Sequence, residues 1–314
     1  MSKNNIKLNK IIGYGVNAIT YKIKIKGKYY VYRREKILSE DLDIFKDIEQ
    51  DNLASLLNKT SNDLIRNIYF NKFINTLDTN HFLILETYKF KKADYKVPLE
   101  DKNKHISWMV KHNKTVNDSN YSFDIITDLK DGTLNDIYNI LTKHEVYSLI
   151  IQIIYALHLM HTNDFTHNDV HTKNICYKKT KTKNIKILGL SIPTYGYIFS
   201  LIDYGLVDSL KFENGNMYET VVNKNAYRDN LMFLTVGIFN IYFKKKKEYS
   251  VNDKILYLIN TIRNNPNDKS ILCDPNFYLF ESSLLNYEET KNYILLMNDE
   301  IKLIKYFYNL IKKK

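Results

Sequence analysis

The sequence predicts an α+β fold in two parts, a small strand-rich part over residues 1–129 and a larger helix-rich part over residues 130–314. Three observations carry this division. Short apolar or alternating runs dominate the first part, at residues 10–12, 21–26, 29–34, 81–88 and 121–129. Broad apolar faces at helical spacing dominate the second part, and the clearest runs from Val146 to Met160. Between that helix and a strand-like run at residues 174–177 lies a polar loop crowded with His, Asp and Asn.

Composition bounds the rest. The chain has 314 residues, 44% of them hydrophobic, which suffices for one large core or two smaller ones. Two cysteines, Cys176 and Cys273, give neither a disulfide framework nor a clustered thiolate site, and point to a reducing compartment. No signal-peptide apolar region follows the first residues, and no run of 18 apolar residues is present, so no transmembrane segment is expected. The formal charge of +11 favours phosphate-bearing ligands or acidic partners. Nucleic acid could use the same basic surface, although no zinc knuckle or helix-turn-helix pattern supports it.

Taken in order, the first strand, residues 10–12, runs into Gly13-Tyr14-Gly15, whose two glycines permit a tight turn and close approach of backbone amides to phosphate. Residues 21–26 alternate apolar with basic, Gly27-Lys28 turns the chain, and residues 29–34 form the next strand. Residues 40–58 read as a helix with Glu49 beside its apolar edge. Residues 89–120 are polar and lysine-rich and contain Trp108 beside Met109 and Val110. The strand at 121–129 is followed by Lys130-Asp131-Gly132-Thr133-Leu134 and a helix start.

Thr142-Lys143-His144-Glu145 is a capping-box signal for the long helix. His158 and His161 near its end read as structural, because they lack an adjacent ligand set. The loop then carries His167-x-Asp169-x-His171-x-x-Asn174, and a second acidic signal follows at Leu201-Ile202-Asp203-Tyr204-Gly205. Two carboxylates and an amide in this order suit phosphoryl transfer, one Asp orienting a hydroxyl and the other groups holding divalent metal on phosphates. Beyond residue 244, residues 251–262, 277–285 and 299–311 read as helices, the last with Leu303, Ile304, Phe307, Leu310 and Ile311 on one side.

These motifs resemble the protein-kinase superfamily. His167, Asp169 and Asn174 match its catalytic-loop pattern, and Asp203-Tyr204-Gly205 matches its D-F-G pattern. Ile192-Pro193-Thr194-Tyr195-Gly196-Tyr197 ahead of Ile202-Asp203-Tyr204-Gly205 is similar to the Ser/Thr kinases of large cytoplasmic DNA viruses. The resemblance covers residues 8–240 and is specific over 158–206. It implies a bilobal kinase-like fold, with a β-rich N-lobe over 1–129 and a helical C-lobe over 130–314. It also implies ATP and Mg²⁺ as cofactors and a protein Ser/Thr substrate, which the basic charge suggests has acidic flanks. A host cytoplasm or viral factory is the implied location, with packaging in the virion as an open alternative.

The resemblance assigns roles residue by residue. Gly13 and Gly15 lie in the phosphate loop, with Ala18 at its third glycine position and Thr20 at its valine position. Arg33 stands where the ATP-binding lysine is expected, with Arg34 or Lys36 taking its place in another register. Glu49 is its implied partner, ahead of Glu40 and Glu35, and the adenine lies near Thr127 to Leu129. Asp169 orients the acceptor hydroxyl, Asn174 is the second metal ligand and Asp203 the principal one. His167 is architectural, and His171 replaces the usual lysine, where it can meet phosphate or Asp169. Asp229 resembles the buried aspartate that supports the catalytic-loop backbone. Against the family pattern, residues 89–120, with Trp108 as their attachment to the small part, and residues 178–196 are insertions, and no A-P-E triplet is present. His171 and the missing triplet keep open a small-molecule or lipid kinase, and the absent lysine keeps open an inactive scaffold.

Overall fold

A computed structural model of the chain describes residues 8–14, 18–36, 63–77, 79–92, 99–111, 121–209, 229–230, 233 and 299–312. The architecture is mixed α/β. The chain divides into two compact units, Met1–Asp78 with Leu83–Leu129, and Thr79–Phe82 with Lys130–Lys314. The expected helix at 40–58, the helices at 251–262 and 277–285, and Gly15 lie outside the described residues.

The first unit is built on five antiparallel strands. They are β1 (Leu8–Tyr14), β2 (Ala18–Ile25), β3 (Lys28–Lys36), β4 (Leu85–Lys92) and β5 (Tyr121–Asp128), in the order β1-β2-β3-β5-β4. The β2–β3 register pairs Ile25 with Lys28 across Lys26-Gly27, both at positive φ, the backbone that matches strand twist in a two-residue hairpin. Alternation then sorts the side chains. Ile19, Tyr21, Ile23, Tyr32 and Ile126 share one buried cluster.

Helix α1 (Asp63–Ile74) leads towards β4, and Asn75 secures the strand's first residue through Nδ2 to the Leu85 carbonyl at 2.6 Å. Helix α2 (Leu99–Lys111) lies within the stretch read as an insertion. Tyr21 donates its hydroxyl to Asp101 at 3.3 Å, and the Tyr14 ring stacks on His105 at 5.7 Å and on Trp108 at 6.1 Å. Trp108 therefore does attach this stretch to the strands. The segment is a helix with its own packed side, and β4 extends to Lys92 before it.

The expected strand at 81–88 is corrected to β4 at Leu85–Lys92, because residues 79–82 pair elsewhere. The Leu201 amide donates to the His81 carbonyl at 2.9 Å, and the Ser200 hydroxyl to the Asn80 carbonyl at 2.6 Å. His81 Nδ1 lies 3.0 Å from the Phe199 carbonyl, and Phe82 forms a parallel bridge with Leu201. Burial pushes His81 down to about 4, so the ring is neutral near pH 7 and donates its Nδ1 proton to that carbonyl.

The second unit is organised on helix α4 (Lys143–His161), which buries residues almost all round. Thr142 and Glu145 close the expected capping box. Replacing Thr142 by alanine should cost about 1 kcal/mol in chemical denaturation. No change would mean that this cap does not form in solution. Gln152, in the middle of the buried helix, is satisfied on both sides. Its Oε1 accepts from the Phe199 amide at 2.9 Å, and its Nε2 donates to the Tyr197 carbonyl at 3.2 Å and to Ser148 Oγ at 3.1 Å. This clamps β11 (Tyr197–Leu201), the strand that delivers Asp203, onto α4.

Around that axis the second unit holds more strand than the helix-rich expectation allowed. β8 (Ile175–Lys179) lies between β11 and β6 (Gly132–Thr133). A Cβ at Gly132 would meet Asp136 Oδ2 at 2.8 Å and Tyr177 at 3.0 Å, so any side chain there would push these two side-chain ends aside. A short helical turn, α3 (Leu134–Ile137), follows it. Segment 178–196 contains the hairpin of β9 (Asn184–Ile187) and β10 (Leu190–Pro193), turned by Leu188-Gly189 at positive φ. It docks on α4 through Ser148 Oγ to the Pro193 carbonyl at 2.6 Å and through His144 stacked on Tyr195. The two-residue strands β7 (Phe165–Thr166) and β12 (Asp208–Ser209) pair antiparallel at the two edges of the loop region. Helix α5 (Glu300–Lys312) forms where residues 299–311 were expected and buries Leu303, Ile304 and Phe307 against α4, with Phe307 on Tyr147 at 5.9 Å. Among the described residues, no helix is long and apolar enough to cross a membrane.

Candidate functional site

The loop between β7 and β8 is fixed through its backbone. Asp229 is fully buried, and its carboxylate accepts from the His167 amide at 2.6 Å and from the Asn168 amide at 2.8 Å. This is the role expected of Asp229. Asn168 takes φ 64, a left-handed conformation that Asn tolerates, and its Nδ2 donates to the Leu206 carbonyl and Thr166 Oγ1, both at 3.1 Å. Val170 is buried, which turns Asp169 and His171 the other way, both partly exposed.

His167 has its tautomer set by its neighbours. Its Nδ1 accepts from the Asp169 amide at 3.3 Å, so Nε2 carries the proton and donates to the Ile202 carbonyl at 3.2 Å. The architectural reading of this histidine therefore holds. The Ile202 amide donates in turn to the Asn174 carbonyl at 3.0 Å. The residue just before Asp203 is thus bonded to both ends of the loop. Tyr204 is fully buried, edge-on to His167 at 5.7 Å and to Phe82 at 6.4 Å, and its hydroxyl donates to the Leu201 carbonyl. Between these fixed residues Asp203 takes φ 63 and an exposed position. Aspartate, like asparagine, enters this left-handed region at low cost, so the backbone can turn there between its fixed neighbours.

Asp169 and Asn174 are brought together directly. Asn174 Nδ2 donates to the Asp169 carbonyl at 3.0 Å and to its Oδ2 at 2.7 Å. That commits the amide nitrogen of the buried Asn174, so any cation it met would have to be met by Oδ1. His171 Nε2 stands 3.5 Å from Asp169 Oδ1, while its Nδ1 accepts from the Lys173 amide at 3.2 Å and caps the 3₁₀ turn Thr172–Asn174. Of the two readings of His171, contact with Asp169 is the one this geometry supports. Burial acts to raise the pKa of Asp169, but His171, His167 and Asn174 together hold it below the usual carboxylate range. Among the described residues no group of three or more His, Cys, Asp or Glu side chains could hold a metal ion. An amide oxygen and one carboxylate, Asn174 and Asp203, do suit Mg²⁺, which keeps waters and takes its remaining ligands from phosphates.

In the first unit the strand register decides which arginine is available. Thr20 pairs with Arg33, Val31 with Thr127, and Arg33 with Ile125, so Thr20, Val31, Arg33 and Thr127 share one face. Arg33 stands 3.1 Å from Glu35, the lesser of the expected partners, while Glu49 lies outside the described residues. Arg34 points to the opposite face, buried, with Nε and Nη2 on the two oxygens of Asp124 at 2.9 and 3.3 Å. The register thus favours Arg33 over Arg34 for a ligand on the Thr127 face. Leu129 follows β5, half-buried. A Cβ at Gly13 would meet only Thr20 at 4.0 Å, so the strand itself does not demand glycine there.

Arg34→Met should cost about 3–5 kcal/mol, because it strands the buried Asp124 charge. Arg33→Met should cost less than about 1 kcal/mol, because that ion pair is partly exposed. Urea titration of both variants separates them, and equal losses would contradict this division of labour.

Three contributors were not read as functional from sequence. Asn168 carries no sequence signal, because its role rests on its backbone angle and on bonds to the distant Asp229 and Leu206. His81 and His161 each find partners more than 60 residues away. His161 was read as structural, and it is so, but through a buried pair of carboxylates that no local pattern announces. No family model matches this chain, and a search of the curated proteins finds no match.

Proposed function

We propose that this chain is an ATP- and Mg²⁺-dependent kinase of the bilobal protein-kinase type, transferring phosphate to Ser or Thr hydroxyls of proteins. The observation that carries the reading is the loop itself. Asp169 and Asn174 are joined side chain to side chain, on a backbone held by a buried carboxylate, with the residue before Asp203 bonded to both loop ends. Phosphoryl transfer asks mainly for positioning and charge stabilisation, and such a braced loop suits that demand.

In this reading Asp169 accepts a hydrogen bond from the acceptor hydroxyl and orients it. Its low pKa keeps it ionised at neutral pH, ready to take the proton as the bond to phosphorus forms. Asn174 Oδ1 and Asp203 would hold Mg²⁺, which supplies charge neutralisation on the phosphates when bound. Gly13 leaves space for a phosphate beside the backbone, Arg33 offers a guanidinium to the phosphates, and Thr127 and Leu129 serve the adenine. The formal charge of +11 supports a protein acceptor with acidic flanks.

A second reading, a kinase of small molecules or lipids, draws on His171 beside Asp169. Incubation with labelled ATP and a mixed protein extract tests the proposal. Phosphoserine or phosphothreonine that disappears with Asp203→Asn supports it. Label confined to metabolites or lipids moves the assignment to the second reading. Binding of nucleotide without transfer to any acceptor favours a scaffold.

A further inference from the structure

Both ring nitrogens of His161 face carboxylate oxygens. Nε2 lies 3.1 Å from Asp229 Oδ2, and Nδ1 lies 2.9 Å from Glu300 Oε1. Carboxylate oxygens only accept, so both nitrogens donate. His161 ends α4, Asp229 braces the loop, and Glu300 begins α5, 139 residues from His161 in sequence. Glu300 is buried and serves two further neighbours. It accepts from Asn230 Nδ2 at 2.8 Å, and its other oxygen stands 3.6 Å from His158 Nδ1. Among the described residues, the charged or titratable groups around His161 are His158 on its own helix, Asp229 with His167 behind it, and Glu300 with Asp299 at the start of α5.

We infer that Glu300 is a positioning residue for the loop carrying Asp169. It holds His161 against Asp229, and Asp229 in turn sets the backbone at His167 and Asn168. The inference rests on the kinase reading only in treating that loop as the reacting one. The physical chain is short. Without the Glu300 charge, one buried carboxylate remains beside the His161 ring, and the imidazolium form loses half of its compensation. Burial disfavours the charged ring, and the two carboxylates together outweigh it and push His161 up to about 9. A ring that loses its proton keeps one N–H for two carboxyl groups, so the Glu300–His161–Asp229 chain is no longer bonded throughout, and the carboxylate then holds the two loop amides in a less defined position.

The test uses the full chain and does not depend on any reaction. Hydrogen exchange at the His167 and Asn168 amides, with NMR titration of the His161 ring, is followed in wild type, Glu300→Gln and Glu300→Asp. Glu300→Gln should lower the His161 midpoint and speed exchange at both amides by about tenfold or more relative to the α4 core. Glu300→Asp, which keeps the charge, should recover much of the protection. Lys302→Ala, on the exposed side of α5, is the control for a general loosening of that helix. Where transfer is measurable, Glu300→Gln should lower kcat and leave the KM for ATP unchanged, and the alkaline limb of kcat should move to lower pH.

Should Glu300→Gln fail to fold, wild type supplies the same readout. Raising the pH through about 9 should speed exchange at His167 and Asn168 ahead of the α4 core. Unchanged protection at the two amides in folded Glu300→Gln, or a loss equal to that of Lys302→Ala, overturns the inference. A wild-type chain that transfers no phosphate but shows the exchange effect overturns the kinase reading and leaves the positioning role standing.

Discussion

Asp169→Ala is expected to bind ATP–Mg²⁺ near wild-type strength and to transfer phosphate about 10²–10⁴-fold more slowly. The reason lies in what the substitution removes and what it leaves. It removes the only carboxylate of the loop, the group that orients the acceptor hydroxyl and takes its proton. It leaves the Asp169 backbone carbonyl, which still receives Asn174 Nδ2 at 3.0 Å, so the proposed metal ligand keeps its support. The braces at His167 and Asn168 come from Asp229 and are untouched. Nucleotide titration and single-turnover transfer separate the two effects. A parallel loss of binding and turnover would mean that Asp169 serves nucleotide binding instead. Wild-type turnover would remove it from the chemistry altogether.

A loss of stability as large as that of Arg34→Met is expected at Asp229. Asp229→Ala should cost about 3–5 kcal/mol, a substantial share of the ~5–15 kcal/mol that a folded domain holds. Two buried loop amides lose their acceptor, and His161 is left with one carboxylate where it had two. Asp229→Asn should cost less, since one oxygen can still receive an amide. The dependence on pH carries a sign that can be checked. The folded pKa of His161 is about 9 against an ordinary 6.5, so its contribution is complete below pH 6.5 and is lost as pH rises through about 9. Burial opposes ionisation of Asp229 and Glu300, yet their hydrogen bonds hold both below their ordinary values of 3.8 and 4.5. Their contribution is complete above those values and is lost as pH falls. Wild-type stability should therefore peak near pH 6.5, falling above it as His161 loses its proton and below it first because buried His81 stays neutral down to about 4 and then as the two carboxylates are protonated. In Asp229→Asn the alkaline decline should still begin near pH 6.5, but it should end at lower pH and be smaller. Urea midpoints across the range measure this, and a midpoint independent of pH between 6.5 and 10 would contradict it.

What could be read from sequence was what lies close together in it. The spacing of His167, Asp169 and Asn174 encodes a tight loop whose contacts span five residues or fewer, and the structure returns those contacts. Capping at Thr142 and Glu145 is equally local. Asp229 was legible because an acid before an apolar run is a recognisable signal, although its partners are about 60 residues away. The two arginines of β3 show the limit. Adjacent residues in a strand face opposite ways, so letters alone leave two registers, and only the pairing with β5 assigns Arg34 to Asp124. Helix α2 was hidden by its lysines, although His105 and Met109 are one helical turn apart and both buried. Glu300 could not have been found, because no property of residue 300 in isolation announces a histidine 139 positions earlier.

The placement of Thr79–Phe82 bears on how the chain can be cut. Because these four residues belong to the second unit while the chain on both sides belongs to the first, the polypeptide changes unit three times before it stays in the second. A genetic cut after Leu129 therefore separates neither unit cleanly. The fragment of residues 1–129 would carry His81 and Phe82 without their partners on β11, a neutral imidazole and an apolar ring newly exposed to water. The fragment of residues 130–314 would miss the ring that lies edge-on to Tyr204, one residue from Asp203. A synthetic peptide spanning residues 79–82, added to that second fragment, would restore its missing edge, and a better-behaved dissection would splice these four residues onto the fragment's own N-terminus.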